Sequence, residues 1–135
     1  MSNITQVVKQ DKYLTTLNRG VMTSGLNQVL SGTGPFTLFA PSDLAFGKLE
    51  GGVFEGLLKA ENKLQLADLL NHHIVAGKIE FKDLKDGEKL KTVNGKELSV
   101  FIKDGKVSVN GAIIQQRNIK TSNGVIHSLD TVLEN

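Results

Sequence analysis

The feature that most constrains this chain is a set of Asx-Gly dipeptides in its C-terminal half: Asp86-Gly87, Asn94-Gly95, Asp104-Gly105, Asn110-Gly111 and Asn123-Gly124. Asn, Asp and Gly tolerate left-handed backbone, so such pairs favour the tight turns of hairpins. Between them apolar and polar residues alternate. Leu98, Val100 and Ile102 interleave with Ser99, Phe101 and Lys103, Val107 and Val109 flank Ser108, and Val125, His127 and Leu129 oppose Ile126 and Ser128. A period of two marks strands with one buried face. The first half differs. Val7, Val8, Leu14, Leu17, Val21, Leu26, Val29 and Leu30 recur at helical spacing, and Gly20 and Gly25 are expected to break them into short helices. Helices followed by strands with no linker predict one α+β domain over residues 1–135, a mostly antiparallel sandwich or meander with short helices packed on it.

Composition narrows the function. The chain has 135 residues, 39% of them apolar, enough for one core. It lacks cysteine, which excludes disulfides, cysteine-bound metals and thiol nucleophiles and leaves the redox compartment open. Net charge is +2, and the eight lysines from Lys78 to Lys106 are interleaved in sequence with Glu80, Asp83, Asp86, Glu88, Glu97 and Asp104. With no tryptophan and one tyrosine, this is not the footprint of a nucleic-acid partner. No apolar run approaches the ~20 residues that span a bilayer.

Two local patterns place the candidate residues. Thr37-Leu38-Phe39-Ala40-Pro41 reads as a strand that Pro41 closes, Ser42 caps the helix that follows, Asp43 suits its positive end, and Leu44, Ala45 and Phe46 supply its buried side. Between Glu61 and Ile74 the residues Leu66, Leu69, Leu70 and His73 share one helical face, so His73 is expected inside. His72, about 100° away and four residues after Asp68, is expected to be exposed.

Three segments together resemble the fasciclin domain, a module of adhesion and matrix proteins, over about residues 4–133. TLFAPSDLAF (37–46) is similar to the family's first signature, NGVIHSLDTVL (123–133) resembles its second, and LLNHHIVAGKI (69–79) lies where the family carries a Tyr-His pair. The resemblance implies a wedge-like α+β fold whose framework here is Thr37, Phe39, Ala40, Pro41, Ser42, Phe46, His73, Asn123, Gly124, Ile126, His127 and Asp130. It also implies a non-enzymatic, secreted or cell-surface adhesion module that contacts proteins or matrix, with Asn71, His72, Arg117 and Asn118 as candidate contact residues. Two departures bear on partners. His72 stands where Tyr is usual, and Gln116-Arg117-Asn118-Ile119 replaces an acidic integrin motif of animal relatives. Integrin recognition needs a carboxylate to complete a metal site, so Asn118 argues against it.

Other readings were weighed on residue chemistry. Three histidines invite a zinc hydrolase, but adjacent His72 and His73 diverge and no His-Glu-x-x-His occurs, so no metal or cofactor is expected. No nucleophile elbow surrounds a serine, and Gly32-Thr33-Gly34 precedes Pro35, which reads as turn chemistry. Leu129-Asp130-Thr131 has the form of a short adhesive peptide but sits on an expected core face. A small-ligand or glycan cleft between helices and sheet is the alternative function, with Tyr13, Phe54, Phe81 or Phe101 as its aromatics. Met1-Ser2-Asn3-Ile4-Thr5 has no leader character, so an extracellular or cell-envelope location presupposes an export signal removed from this chain, and the cytoplasm is the other reading.

Overall fold

The computed structural model describes residues 2–116 and 118–133. Helices α1 (Ile4–Gln10), α2 (Thr15–Ser24) and α3 (Leu26–Val29) lead into strand β1 (Phe36–Pro41), followed by α4 (Asp43–Gly47), α5 (Val53–Leu57) and α6 (Lys63–Asn71). Strands β2 (Ile74–Ala76), β3 (Lys89–Lys91), β4 (Glu97–Lys103), β5 (Lys106–Val109), β6 (Ala112–Ile113), β7 (Ile119–Thr121) and β8 (Gly124–Leu129) complete the fold. They form two four-stranded sheets, ordered β2-β1-β8-β7 and β3-β4-β5-β6.

The first sheet is the middle layer. Leu38, Ala40 and Ile126 face a core shared with Ile4, Leu17, Leu66 and Leu70 from the helices. Phe39 and Leu129 face the other way, into a second core with Leu90, Leu98, Val100 and Val109 of the second sheet. Consequently β8 is buried at every residue. Burial on both faces is what a parallel pair requires, and β1 and β8 run parallel in register from Phe36 opposite Gly124 to Pro41 opposite Leu129. All other strand pairs named above are antiparallel.

Three local expectations need correction. Gly20 does not break a helix. It lies inside α2, where an added Cβ would meet Leu70 at 3.3 Å and Phe54 at 3.4 Å, so its role is close approach of α2 to α6 and α5. The break falls instead between Gln10 and Thr15, while Gly25 ends α2 in left-handed backbone as expected (φ +82°). Secondly, of the five Asx-Gly pairs only Asp104-Gly105 and Asn110-Gly111 are left-handed at both residues, closing the two-residue hairpins β4–β5 and β5–β6. Gly124 has no left-handed backbone at all. A Cβ there would lie 1.9 Å from the Phe36 carbonyl oxygen, so glycine is required by contact with β1. Thirdly, Ile102 follows the inward alternation of β4 yet is partly exposed, because the β4–β5 hairpin ends beyond the core.

Candidate functional site

The residues of the three signature segments converge on stretches of chain that lack regular pairing. Residues 77–81 run between β2 and a short 3₁₀ turn (Phe81–Asp83) outside any named strand. Partly buried backbone there, outside any strand ladder, finds its partners in side chains. Thr37 on β1 donates its hydroxyl to the Gly77 carbonyl (2.7 Å) and accepts from the Ile79 N–H (2.8 Å). His127 on β8 meets the Ile79 carbonyl through Nε2 (2.8 Å) and the Asn118 N–H through Nδ1 (3.1 Å). Asn118, left-handed at φ +55°, accepts the Phe81 N–H on Oδ1 (2.8 Å). A carbonyl only accepts and an amide N–H only donates, so His127 is neutral with its proton on Nε2. The rings of Phe39 and Phe81 pack near it, with centroids at 5.7 and 6.5 Å.

His73 makes the complementary arrangement. It is fully buried, its Nδ1 lies 2.9 Å from the Leu69 carbonyl, and its Nε2 accepts the Leu133 N–H at 2.9 Å. The same logic places its proton on Nδ1. The ring thus joins α6 to the C-terminal segment. Burial lowers its pKa to about 4, the hydrogen bond to Leu69 opposing this and the neighbouring His72 adding to it. Burial also lowers the pKa of His127, against the opposing effects of the Ile79 hydrogen bond and the Glu80 carboxylate.

The candidate contact residues are less exposed than the sequence predicts. His72 is buried, 2% exposed, which corrects its assignment to the surface. It caps the end of α6 in helical backbone (φ −68°, ψ −14°), and the β3–β4 turn, which no local spacing announces, covers it there. Its backbone N–H meets the Asp68 carbonyl (3.1 Å), and its Nδ1 lies 3.3 Å from Oδ1 of Asn94 in the β3–β4 turn. Asn71 and Asn118 are half-buried, and Arg117 lies outside the described residues. Among the described residues no hydrogen bond joins Asn71 or His72 to Asn118.

Asn123 ties three distant stretches. Its Nδ2 donates to the Leu30 and Gly32 carbonyls (2.7 and 2.9 Å), and its Oδ1 accepts the Ile4 N–H (3.0 Å). Asp130 accepts the Ile113 N–H (2.8 Å) and so anchors β6 to the end of β8. Ser42 accepts the Ala45 N–H (3.3 Å), as its capping role requires. Asp43 acts on a different helix from the one expected. Its carboxylate takes the Thr16 N–H (2.8 Å) and the Thr15 hydroxyl (2.7 Å), capping α2, whose own N-cap Leu14 offers no side-chain acceptor. Phe46 packs on Phe54 with centroids 4.7 Å apart in the helical core. No sequence signal identified the clamp formed by Asn118, because its left-handed backbone follows from no Asx-Gly pair.

Two of the open concavities lie beside the residues named for contact or ligands. A cleft of about 410 Å³ lies between the α1–α2 connection, the start of α4 and residues 115–116, lined by Tyr13, Leu44, Gln115, Gln116 and Ser128 among others. Tyr13 is exposed, with the Lys12 ammonium 5.1 Å from its ring centroid. Of the other aromatics named for a glycan cleft, Phe54 is in the core, Phe81 is half-buried beside His127, and Phe101 is exposed on the second sheet. A shallower hollow of about 340 Å³ lies on that sheet's outer face. Among the described residues no group of three or more histidines and carboxylates converges as metal ligands would.

Comparison with known proteins matches this arrangement. The family model of the fasciclin domain matches residues 12–135. Protein sll1483 of Synechocystis sp. is 40% identical over 96% of this chain and 72% of its own length. The transforming growth factor-beta-induced protein ig-h3 of Sus scrofa is 35% identical over 98% of the chain, which spans only 19% of that relative. Among solved structures, a FAS1 domain pair from the insect cell adhesion molecule fasciclin I superposes with a TM-score of 0.88 at 20% identity, covering 99% of this chain and 51% of that one.

Proposed function

Because the chain belongs to the fasciclin domain family, we propose that it is a non-enzymatic interaction module of the cell exterior, making weak contacts with proteins or matrix components. One observation carries the reading: the polar groups of the signature segments are engaged with the chain's own backbone. Both ring nitrogens of His73 and of His127 are hydrogen-bonded, and Thr37, Asn118 and Asn123 are occupied in the same way. A histidine hydrolase would have to break these bonds before either ring could hold a metal or move a proton. Integrin recognition is unsupported as well, since Asn118 brings no carboxylate and its amide oxygen is already engaged. The matching domain pair belongs to a cell adhesion molecule, which favours the same role here.

Weak contacts suffice when many copies act together, because tethering converts later binding events into intramolecular ones. Beads carrying the domain at graded density, flowed over a surface coated with extracellular matrix, test this. Retention should rise steeply with density while the free domain binds weakly, and retention absent at every density contradicts the proposal.

The 410 Å³ cleft favours a second reading, a small neutral ligand such as a saccharide. An exposed tyrosine ring beside the carboxamides of Gln115 and Gln116 is suitable chemistry for sugar hydroxyls and C–H groups. A glycan array distinguishes the two. A saturable hit that Tyr13→Ala abolishes promotes the cleft, and silence leaves adhesion.

A further inference from the structure

The outer face of the second sheet gathers cations that the linear sequence disperses. Alternation turns Leu90, Leu98, Val100, Val107 and Val109 inward, so Lys89, Lys91, Lys103 and Lys106 emerge on the opposite face with Phe101 and Ile113. Lys103 and Lys106 stand directly opposite each other across the β4–β5 hairpin, a register in which like charges repel. The ion pairs found among the described residues involve neither of them. The acidic groups nearby are few: Glu97 stands opposite Lys91, Asp86 accepts the Ile102 N–H, and Asp104 occupies the hairpin turn.

Apolar side chains accompany the lysine pair. Phe101 is 55% exposed, and it lines the 340 Å³ hollow together with Ile113, Ser108, Lys103, Lys106 and one acid, Asp104. Ile102, on the other face of the same strand end, is 37% exposed. The hairpin end therefore presents apolar groups on both faces with two unpaired ammonium groups beside them. Separate needs are implied: an anion to relieve the lysine pair, and a medium that takes in phenyl and alkyl groups. A soluble polyanion answers the first need alone, whereas the headgroup layer of an anionic membrane answers both and can take in apolar groups from the two faces of the hairpin end at once.

We propose that this hairpin end docks peripherally on an anionic lipid surface, with Phe101, Ile102 and Ile113 entering the headgroup layer and Lys103 and Lys106 flanking an anionic headgroup. No described helix is long and apolar enough to cross a membrane, so the contact is at the surface. It goes beyond the adhesion reading and uses a face separate from the signature residues.

The chain lacks tryptophan, so Phe101→Trp places a single indole reporter at the contact. The full chain and this variant are mixed with vesicles of phosphatidylcholine alone or with phosphatidylserine, and binding is read by co-sedimentation and by indole emission. Binding to the anionic vesicles with a blue shift is expected, falling about tenfold or more in the variant Lys103→Gln/Lys106→Gln and with added salt. Phe101→Ser/Ile113→Ser should weaken binding similarly, and Leu64→Ser, an exposed leucine on α6, should leave it unchanged. Thermal melts confirm that each variant is folded. Three results overturn the proposal: no binding to anionic vesicles, binding insensitive to both double variants, or binding to dextran sulfate alone with no blue shift.

Discussion

Protonating His73 would turn its Nε2 from acceptor to donor, facing the Leu133 N–H with a second N–H. The folded chain resists this, and its pKa falls to about 4 from the ordinary 6.5. Between those values the unfolded chain binds a proton that the folded chain does not, so stability rises with pH across the window. Its contribution is complete above pH 6.5 and is lost as pH falls toward 4, by about 3 kcal/mol in all. Denaturant titrations between those two pH values should show the decline in the parent and a smaller one in His73→Gln. Replacing His73 by Ala leaves the Leu133 N–H without its acceptor, removes one hydrogen bond from the Leu69 carbonyl and opens a cavity, costing ~1 to 3 kcal/mol in the same titrations. His72→Ala should cost a similar ~1 to 3 kcal/mol, whereas a side chain as exposed as the sequence predicts would cost at most about 0.5 kcal/mol. His73 is inside, as its place on the helical face suggests, although it lies just beyond the end of α6 and is held there by the Leu69 carbonyl and the Leu133 N–H. The burial of His72 was not legible, since it depends on the β3–β4 turn and on Asn94, 22 residues away.

Single elements in this fold are completed by side chains from others. Helix α2 starts without its own cap and takes one from Asp43, on α4. Asp43→Ala should lower stability by ~1 kcal/mol, the usual effect of losing an N-cap, and Asp43→Asn should retain most of it. Strand β8 pairs with β1 only because Gly124 has no side chain, so Gly124→Ala should prevent folding or destabilise by more than ~4 kcal/mol, readable as loss of the cooperative melt. The strand, its stop and the Ser42 cap could be read directly from Thr37 to Phe46, because each depends on residues within a few positions, whereas Leu44, expected on the buried side of α4, is exposed, and Asp43 caps α2 instead. Hairpins at Asp104-Gly105 and Asn110-Gly111 were legible for the same reason. The need for Gly124 was not, since it is set by Phe36, 88 positions earlier, and the parallel pairing of β1 with β8 leaves no mark in the alternation of either strand.

At the scale of the molecule, the middle sheet is held to its surroundings by polar side chains that each end on backbone. Thr37, His127 and Asn118 hold residues 77–81, His73 holds the C-terminal segment, and Asn123 holds the start of α1 and the turn before β1. These signature residues are thus engaged with the chain's own backbone. The lysine face illustrates what linear reading loses. Counted along the chain, these lysines are balanced by acids, but strand alternation places Lys89, Lys91, Lys103 and Lys106 on one side with Glu97, a consequence that could have been drawn from the buried positions Leu90, Leu98, Val100, Val107 and Val109. The most direct test of the architectural role is long-range proton–nitrogen NMR of the imidazoles near pH 7.5. The account predicts neutral His73 protonated on Nδ1 and neutral His127 protonated on Nε2, each as a single tautomer. Imidazolium signals or tautomers in exchange at either ring would contradict it.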